Sequence, residues 1–247
     1  VKPGDRVAGY LPNMPEAIIS MLAAASLGAT WSSCSPDFGL QGVLDRFGQI
    51  EPKVLIASDG YFYNGNTHDV RKKIADLVGR VPSIQRVVVV PYASTEPNIS
   101  SIRDAVELSD FVGNFTPVDI HFEQMPFDHP LYILYSSGTT GQPKCIVHEA
   151  GGMLLKHAVE QVAQFSIGPD SKVFWFTTLG WMMWNWLASN LAWGATLLLY
   201  DGSPFYPDGN VLWDFAAQEN MTLFGTSAKY IDACNKAGLK PIDTHDL

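Results

Sequence analysis

The stretch Tyr135–Lys144 combines residue types that suit the binding of a polyphosphate. It follows an apolar run and contains two glycines, which let the backbone turn tightly and approach a ligand closely. Hydroxyl groups and backbone N–H groups supply hydrogen-bond donors, and Lys144 supplies a positive charge. The hydroxyl residues and glycines are Ser136, Ser137, Gly138, Thr139, Thr140 and Gly141. This set of groups predicts a phosphate-binding loop.

The loop differs from the two common nucleotide-binding loops. A Walker A loop has a longer gap between its glycines and a Ser or Thr after its lysine, whereas Cys145 follows Lys144 here. The spacing also departs from G-x-G-x-x-G, which disfavours a Rossmann dinucleotide site. From composition alone, a plain surface turn stays open as the alternative.

Alternating strands and helices must position this loop. Apolar runs predict strands at 6–11, 29–33, 53–57, 86–90, 131–135, 173–176, 195–200 and 222–224. Helical spacing predicts helices at 15–27, 40–50, 70–78, 149–165, 182–192, 211–218 and 228–237, and a short helix at 102–108 within the weaker region 91–130. The alternation favours an α/β fold with largely parallel sheets flanked by helices.

Composition excludes several classes of protein. The chain has 247 residues, of which 47% are hydrophobic and 17% charged, so a disordered tail is excluded. The formal net charge of -9 argues against a nucleic-acid binder that neutralises phosphates with a basic face. The three cysteines, Cys34, Cys145 and Cys234, form no C-x-x-C pair, which indicates reduced thiols and a cytosolic protein.

Residues 173–200 carry no charged side chain and are long enough to span a bilayer. Asn185 and Asn190 lie within this run, and Gly180 and Gly194 divide it. No cluster of Lys or Arg marks one flank as cytoplasmic. We therefore expect a buried strand, helix and strand here, with a membrane span as the alternative.

The loop Ser136–Lys144 resembles the phosphate loop of the adenylate-forming enzymes, which include acyl-CoA synthetases, peptide-synthetase adenylation domains and luciferases. The stretches 4–13, 31–39, 180–186 and 199–204 resemble synthetases that activate a short acid, so the resemblance covers essentially the whole chain. It implies the large N-terminal domain of that fold. Residues 1–247 would be an internal fragment of this AMP-binding domain, with a possible subdivision near 91–130 and without the C-terminal lid domain.

The resemblance also implies a two-step ligation. Acetoacetate would attack the α-phosphate of ATP, and the thiol of coenzyme A would then displace AMP. Mg²⁺ would neutralise the polyphosphate, with Thr140 as a candidate contact. The residues that this resemblance assigns to the ATP phosphates are Ser136, Ser137, Gly138, Thr139, Thr140, Gly141 and Lys144.

Two further groups of residues receive roles from the resemblance. Trp181, Met182, Met183 and Trp184 would line the pocket for the acyl group, although a plain core role is the alternative. The turn Gly225, Thr226 and Ser227 would border the channel for coenzyme A.

The family's adenine and ribose contacts and its lid lysine cannot be matched in this sequence, so we expect the fragment to be inactive alone. The partners expected are small molecules, with no nucleic acid and no membrane span, and the oligomeric state is not predicted. A ligase of acetate or propionate is the alternative, and a truncated, non-catalytic nucleotide-binding protein is another.

Overall fold

The structure is a computed structural model that describes residues 1–136 and 141–246. Within these ranges the chain forms a seven-stranded, mostly parallel sheet, a three-stranded parallel sheet and one hairpin. The strands are β1 Arg6–Tyr10, β2 Thr30–Cys34, β3 Val54–Ser58, β4 Gly60–Tyr63, β5 Asn66–Asp69, β6 Arg86–Val90, β7 Ala105–Glu107, β8 Pro130–Tyr135, β9 Cys145–Glu149, β10 Lys172–Trp175, β11 Thr196–Leu198 and β12 Leu223–Gly225.

Helices connect most of these strands. They are α1 Pro15–Ser26, α2 Leu40–Ile50, α3 Arg71–Arg80, α4 Leu108–Gly113, α5 Ala150–His157, α6 Met182–Ser189, α7 Val211–Glu219 and α8 Ala228–Lys236. A π-helical segment, Ala158–Gln164, continues α5, and short 3₁₀ turns form at Asn190–Trp193 and Pro241–Asp243.

The larger sheet has the order β7-β6-β3-β1-β2-β8-β9, and the smaller sheet has the order β11-β10-β12. All neighbouring pairs are parallel except β8 and β9, which are antiparallel. This architecture confirms the prediction of an α/β fold with largely parallel sheets. The parallel strands of a sheet end at a common edge, where α/β proteins usually bind their ligands.

Local signals explain where the first helices begin and end. Pro15 is the first residue of α1, a position at which its missing N–H costs nothing. Gly28 has a φ of 66°, a left-handed conformation that ends the helix. Val43, Phe47 and Ile50 are the buried residues of α2, and they share one helix face as their spacing predicts.

Apolar side chains fill both faces of the larger sheet. One core includes Phe47 of α2 and Ile74 and Leu77 of α3, all fully buried against the sheet. The core on the opposite face joins α1 to Trp31 and to Trp184 of α6. Because α6 belongs to the segment that follows β10, this second core ties the two sheets together.

The structure of the region 91–130 differs from the prediction of a short helix. The short helix predicted at 102–108 is wrong over most of its length, because Ala105–Glu107 forms β7 beside β6 and helix α4 begins only at Leu108. Pairing with the free edge of β6 outweighs the local helical spacing of this segment.

The predicted helix at 149–165 also needs correction at its start. Strand β9 occupies Cys145–Glu149, so α5 begins at Ala150. The strand is an edge strand whose side chains are mostly exposed, and it therefore lacks the continuous apolar run of the central strands.

Strands β4 and β5 form a hairpin that sequence analysis missed. Its turn residues Asn64 and Gly65 have φ of 49° and 74°, as a type I′ turn requires. The hairpin leaves the sheet directly after β3 and returns where the N–H of Val70 donates to the carbonyl of Asp59 at 3.0 Å. The dipeptide Asn-Gly directly after the aromatic run Tyr61–Tyr63 was the signal that could have revealed it.

Residues 173–200 contribute most of β10, all of α6 and β11, and the 3₁₀ turn between them, which confirms the predicted strand, helix and strand. Across residues 1–136 and 141–246, none of the helices is both long and apolar enough to cross a membrane.

Candidate functional site

The predicted phosphate loop lies between β8 and β9 and is closed at its base. The backbone N–H of Ser136 donates to the carbonyl of Lys144 at 3.0 Å. In return, the N–H of Lys144 donates to Oγ of Ser136 at 3.1 Å. The two ends of the loop therefore face each other directly beyond the last strand pair, Tyr135 and Cys145.

The second half of the loop rests on α2. Nε2 of Gln49 donates to the carbonyl of Pro143 at 2.8 Å, and Nε2 of Gln142 donates to the carbonyl of Asp45 at 3.3 Å. Gly141 has a φ of 92°, which favours glycine at this position. The side chain of Lys144 is exposed, so its ammonium is accessible to a ligand in solution.

The remaining residues predicted for the phosphates, Ser137, Gly138, Thr139 and Thr140, lie outside the described residues. The proposed magnesium contact through Thr140 lies there too. Among the residues described, no group of three or more His, Cys, Asp or Glu side chains is arranged to hold a metal ion.

A cleft of about 400 Å³ opens at the carboxyl ends of β1, β2, β10, β11 and β12, where the two sheets face each other. Aromatic rings form much of its wall, and its charged groups are Asp37, Asp201 and Lys229. The other lining residues are Pro12, Asn13, Ser35, Pro36, Tyr61, Phe62, Tyr63, Phe176, Thr177, Thr178, Tyr200, Gly202, Ser203, Pro204, Phe205, Ser227, Tyr230 and Ala233.

The loop and the cleft lie along one edge of the larger sheet. Strand β8, which leads into the loop, pairs in parallel with β2, whose carboxyl end supplies Ser35 and Asp37 to the cleft. The hydroxyl of Ser32 on β2 also donates to Oη of Tyr135 on β8 at 2.9 Å. A ligand with two parts could therefore contact both regions from the same side of the sheet.

Asp201 lies at the end of the smaller sheet and lines the cleft. Its Oδ2 accepts a hydrogen bond from the hydroxyl of Tyr92 at 3.1 Å and a long one from the N–H of Phe62 at 3.4 Å. Burial raises the pKa of this carboxyl above its ordinary value, although the bond from Tyr92 opposes that change. The position of Asp201 at a strand end can be recognised in the sequence. Its contacts with Phe62 and Tyr92 cannot, because these residues are distant in the chain.

The four residues predicted for the acyl pocket lie in different environments. Trp181 is 57% exposed, whereas Trp184 is fully buried and its Nε1 donates to Oδ1 of Asn13 at 2.9 Å. Met182 and Met183 are half-buried, the first in the core that joins the sheets and the second beside Trp186. None of the four lines the cleft, but Trp184 supports it through Asn13, which does.

The turn predicted to border the coenzyme A channel follows β12. Gly225 lies against the indole of Trp175, so that a Cβ at residue 225 would be only 2.1 Å from that ring. Oγ of Ser227 accepts from the N–H of Tyr230 at 3.2 Å and so caps α8. Ser227 lines the cleft, whereas Thr226 and Gly225 do not.

Two titratable residues, Cys145 and His148, lie on β9 just beyond the loop. His148 stacks at a tilt on Tyr132, and burial lowers the pKa of its imidazole. Burial raises the pKa of the Cys145 thiol, which disfavours the thiolate that a nucleophile would need.

Comparison with known proteins adds the following findings. The profile of the family described as AMP-binding enzyme matches residues 1–247. An acetoacetyl-coenzyme A synthetase of Rhizobium meliloti (strain 1021) is 58% identical over 99% of this chain, which covers 37% of that relative. An acetoacetyl-CoA synthetase of Gallus gallus is 49% identical over 100% of this chain and 38% of its own length.

Among solved structures, acetoacetyl-CoA synthetase from Streptomyces lividans superimposes with a TM-score of 0.93 at 46% identity. That match covers 100% of this chain and 37% of the solved one. The chain thus spans well under half the length of the relatives that it matches.

Proposed function

The chain belongs to the AMP-binding enzyme family, and from this premise we propose that it is an internal part of the AMP-binding domain of an acetoacetate–CoA ligase. In the first step, a carboxylate oxygen of acetoacetate attacks the α-phosphorus of ATP, and pyrophosphate leaves. In the second step, the sulfur of coenzyme A attacks the acyl carbon of acetoacetyl-AMP, and AMP leaves as the thiol proton is lost. The identity with acetoacetyl-CoA synthetases along the whole chain supports this acid over others.

The position of the loop is the observation that carries the proposal. Its base, Ser136 and Lys144, lies at the edge of the larger sheet that also supplies the cleft. We assign the β- and γ-phosphates to Ser136, Ser137, Gly138, Thr139, Thr140, Gly141 and Lys144. The ammonium of Lys144 would stabilise the charge that develops on the departing pyrophosphate, which is catalysis by positioning and electrostatics.

Acid recognition is assigned to Trp181, Met182, Met183 and Trp184. Large side chains around a small acyl group would exclude longer acids by bulk. The full burial of Trp184 supports a rigid wall behind such a pocket. The exposure of Trp181 leaves its ring available to a substrate.

Coenzyme A is assigned to the cleft together with the turn Gly225, Thr226 and Ser227, of which Ser227 lines the cleft. The charged side chains of the cleft are two acids, Asp37 and Asp201, and one base, Lys229. Such a balance disfavours a triphosphate and suits the uncharged arm that carries the thiol. The aromatic walls supply apolar contact for that arm.

Mg²⁺ is proposed to accompany ATP as a counter-ion to its phosphates, with no step assigned to it. We place the reaction in the cytosol, because all three cysteines are free. We also propose that the domain is subdivided near 91–130.

The test is acid-dependent exchange of labelled pyrophosphate into ATP, measured on the complete gene product that carries this chain. Acetoacetate, acetate and propionate are compared at equal concentrations with Mg²⁺ present. Stronger exchange with acetoacetate is expected. Exchange with acetate or propionate alone would reassign the substrate, and no exchange with any short acid would leave a non-catalytic nucleotide-binding protein.

Replacement of Lys144 tests the loop within the same assay. We expect Lys144→Ala to lower the exchange rate about 10- to 100-fold, since a hydrogen bond to a charged group is lost. Lys144→Arg is the matched control, because it keeps the charge, and it should retain more of the rate. Equal rates in all three proteins would remove Lys144 from the mechanism.

A further inference from the structure

Two walls of the cleft come from separate parts of the fold. The β4–β5 hairpin contributes Tyr61, Phe62 and Tyr63, and the segment after β11 contributes residues 200–205. These walls are far apart in sequence, and within residues 1–136 and 141–246 no strand of one wall pairs with a strand of the other. The width of the cleft therefore depends on contacts between side chains and loops.

Asp201 makes such a contact across the cleft. Its Oδ2 accepts from the N–H of Phe62 on the hairpin and from the hydroxyl of Tyr92, which follows β6. The ring of Tyr92 also packs edge-on against Phe62, with ring centroids 5.3 Å apart. One carboxyl oxygen thus joins the segment after β11 to the β4–β5 hairpin and to the segment after β6.

Tyr92 is itself held in place. Oδ1 of Asp59, at the base of the hairpin, accepts from the N–H of Tyr92 at 2.7 Å and from the N–H of Ala93 at 2.8 Å. Asp59 is 3% exposed, so these bonds are shielded from water. The hydroxyl that reaches Asp201 therefore starts from a rigid base.

The far end of the hairpin touches the same opposite wall. A Cβ built on Gly65 at the turn would lie 2.4 Å from the ring of Tyr206. Contact at the turn and at Phe62 means that the hairpin bridges the two sheets along its length.

We propose that Asp201 is a positioning residue for the second half-reaction, in which it holds the β4–β5 hairpin across the cleft so that coenzyme A binds there. This inference rests on the proposed function. Asp201 acts through the hairpin and has no part in the first half-reaction, because none of these contacts involves Ser136, Gly141 or Lys144, the described residues assigned to the phosphates.

The experiment compares Asp201→Ala, Asp201→Asn and Tyr92→Phe in the complete gene product. Asparagine keeps an acceptor oxygen at the same place, so Asp201→Asn is the matched control. We expect Asp201→Ala to raise the KM for coenzyme A about tenfold, as expected for the loss of hydrogen bonds that fix the cleft. Tyr92→Phe should give a smaller rise, and Asp201→Asn should stay within about threefold of the wild type.

Two further readouts separate the possible failures. Pyrophosphate exchange without coenzyme A reports only the first half-reaction and should change little in Asp201→Ala. Amide hydrogen exchange over residues 60–69 needs no catalysis and should become faster in that variant. Equal loss in both half-reactions, or an unchanged KM and unchanged amide exchange, would overturn the proposal. Absence of pyrophosphate exchange in the wild type would instead overturn the proposed function.

Discussion

Trp181 and Trp184 show how differently two tryptophans of one motif can be used. Trp184 is fully buried and donates to Asn13, so Trp184→Ala leaves a large cavity and an acceptor without its partner. We expect it to lower the free energy of unfolding by about 3–5 kcal/mol. Trp181 is 57% exposed, and Trp181→Ala should change it by no more than about 0.5 kcal/mol. Urea unfolding of the 247-residue chain measures both.

Each variant serves as the control for the other, because the same atoms are removed. A large loss of stability in Trp181→Ala would show that its ring is buried in solution. The acid pocket would then need another exposed residue. The sequence could not separate the two roles, since both tryptophans lie in one apolar run and burial depends on the sheet that α6 covers.

Among the elements, β12 depends on a glycine for its fit against β10. A Cβ on Gly225 would lie 2.1 Å from the ring of Trp175, which also packs against Trp186. We expect Gly225→Ala to destabilise the chain by about 1–3 kcal/mol, because the indole cannot move without disturbing its neighbours. The midpoint of thermal unfolding is the measurement.

Gly79 provides the control at the same scale. It lies inside α3, and a Cβ there meets nothing within 4 Å. Gly79→Ala should therefore stabilise the chain by about 0.5–1 kcal/mol through its helix propensity. If both substitutions shift the midpoint alike, the close packing of Gly225 on Trp175 is not present in solution.

Elements with periodic or continuous apolar patterns could be predicted from the sequence. The face of α2 that carries Val43, Phe47 and Ile50 is one example, and β6 is another. Strand β7 could not be predicted, because its three residues are extended only where they pair with β6. The cleft could not be predicted either. Its walls come together through contacts such as that of Asp201 with Phe62, and no local sequence pattern indicates a contact between residues so distant in the chain.

At the scale of the whole molecule, β9, α5, the π-helical segment and the residue after it carry exposed apolar side chains, which together are called the apolar face below. Its members are Ile146, Val147, Leu154, Leu155, Val159, Val162 and Phe165. Exposed apolar patches of this kind bind hydrophobic dyes and promote association. We expect the 247-residue chain to enhance the fluorescence of anilinonaphthalene sulfonate, and Leu155→Glu to reduce that signal.

Ile242→Glu is the control, since Ile242 is 86% exposed but lies apart from this face in the sequence and outside its three elements. It should leave the fluorescence unchanged, and neither variant should shift thermal unfolding by more than the equivalent of about 0.5 kcal/mol. An equal effect of both variants would mean that added charge alone, rather than the face, controls dye binding.

The hairpin has a consequence for how this protein can diversify. The hairpin begins after Asp59, which follows β3, and ends before Val70, which precedes α3. The backbones of these two residues are hydrogen-bonded to each other. Residues 60–69 can therefore be lengthened, shortened or exchanged without changing the register of β3 or the start of α3. Since Tyr61, Phe62 and Tyr63 form a wall of the cleft, selection can remodel what the cleft accepts while β3 and α3 are inherited unchanged.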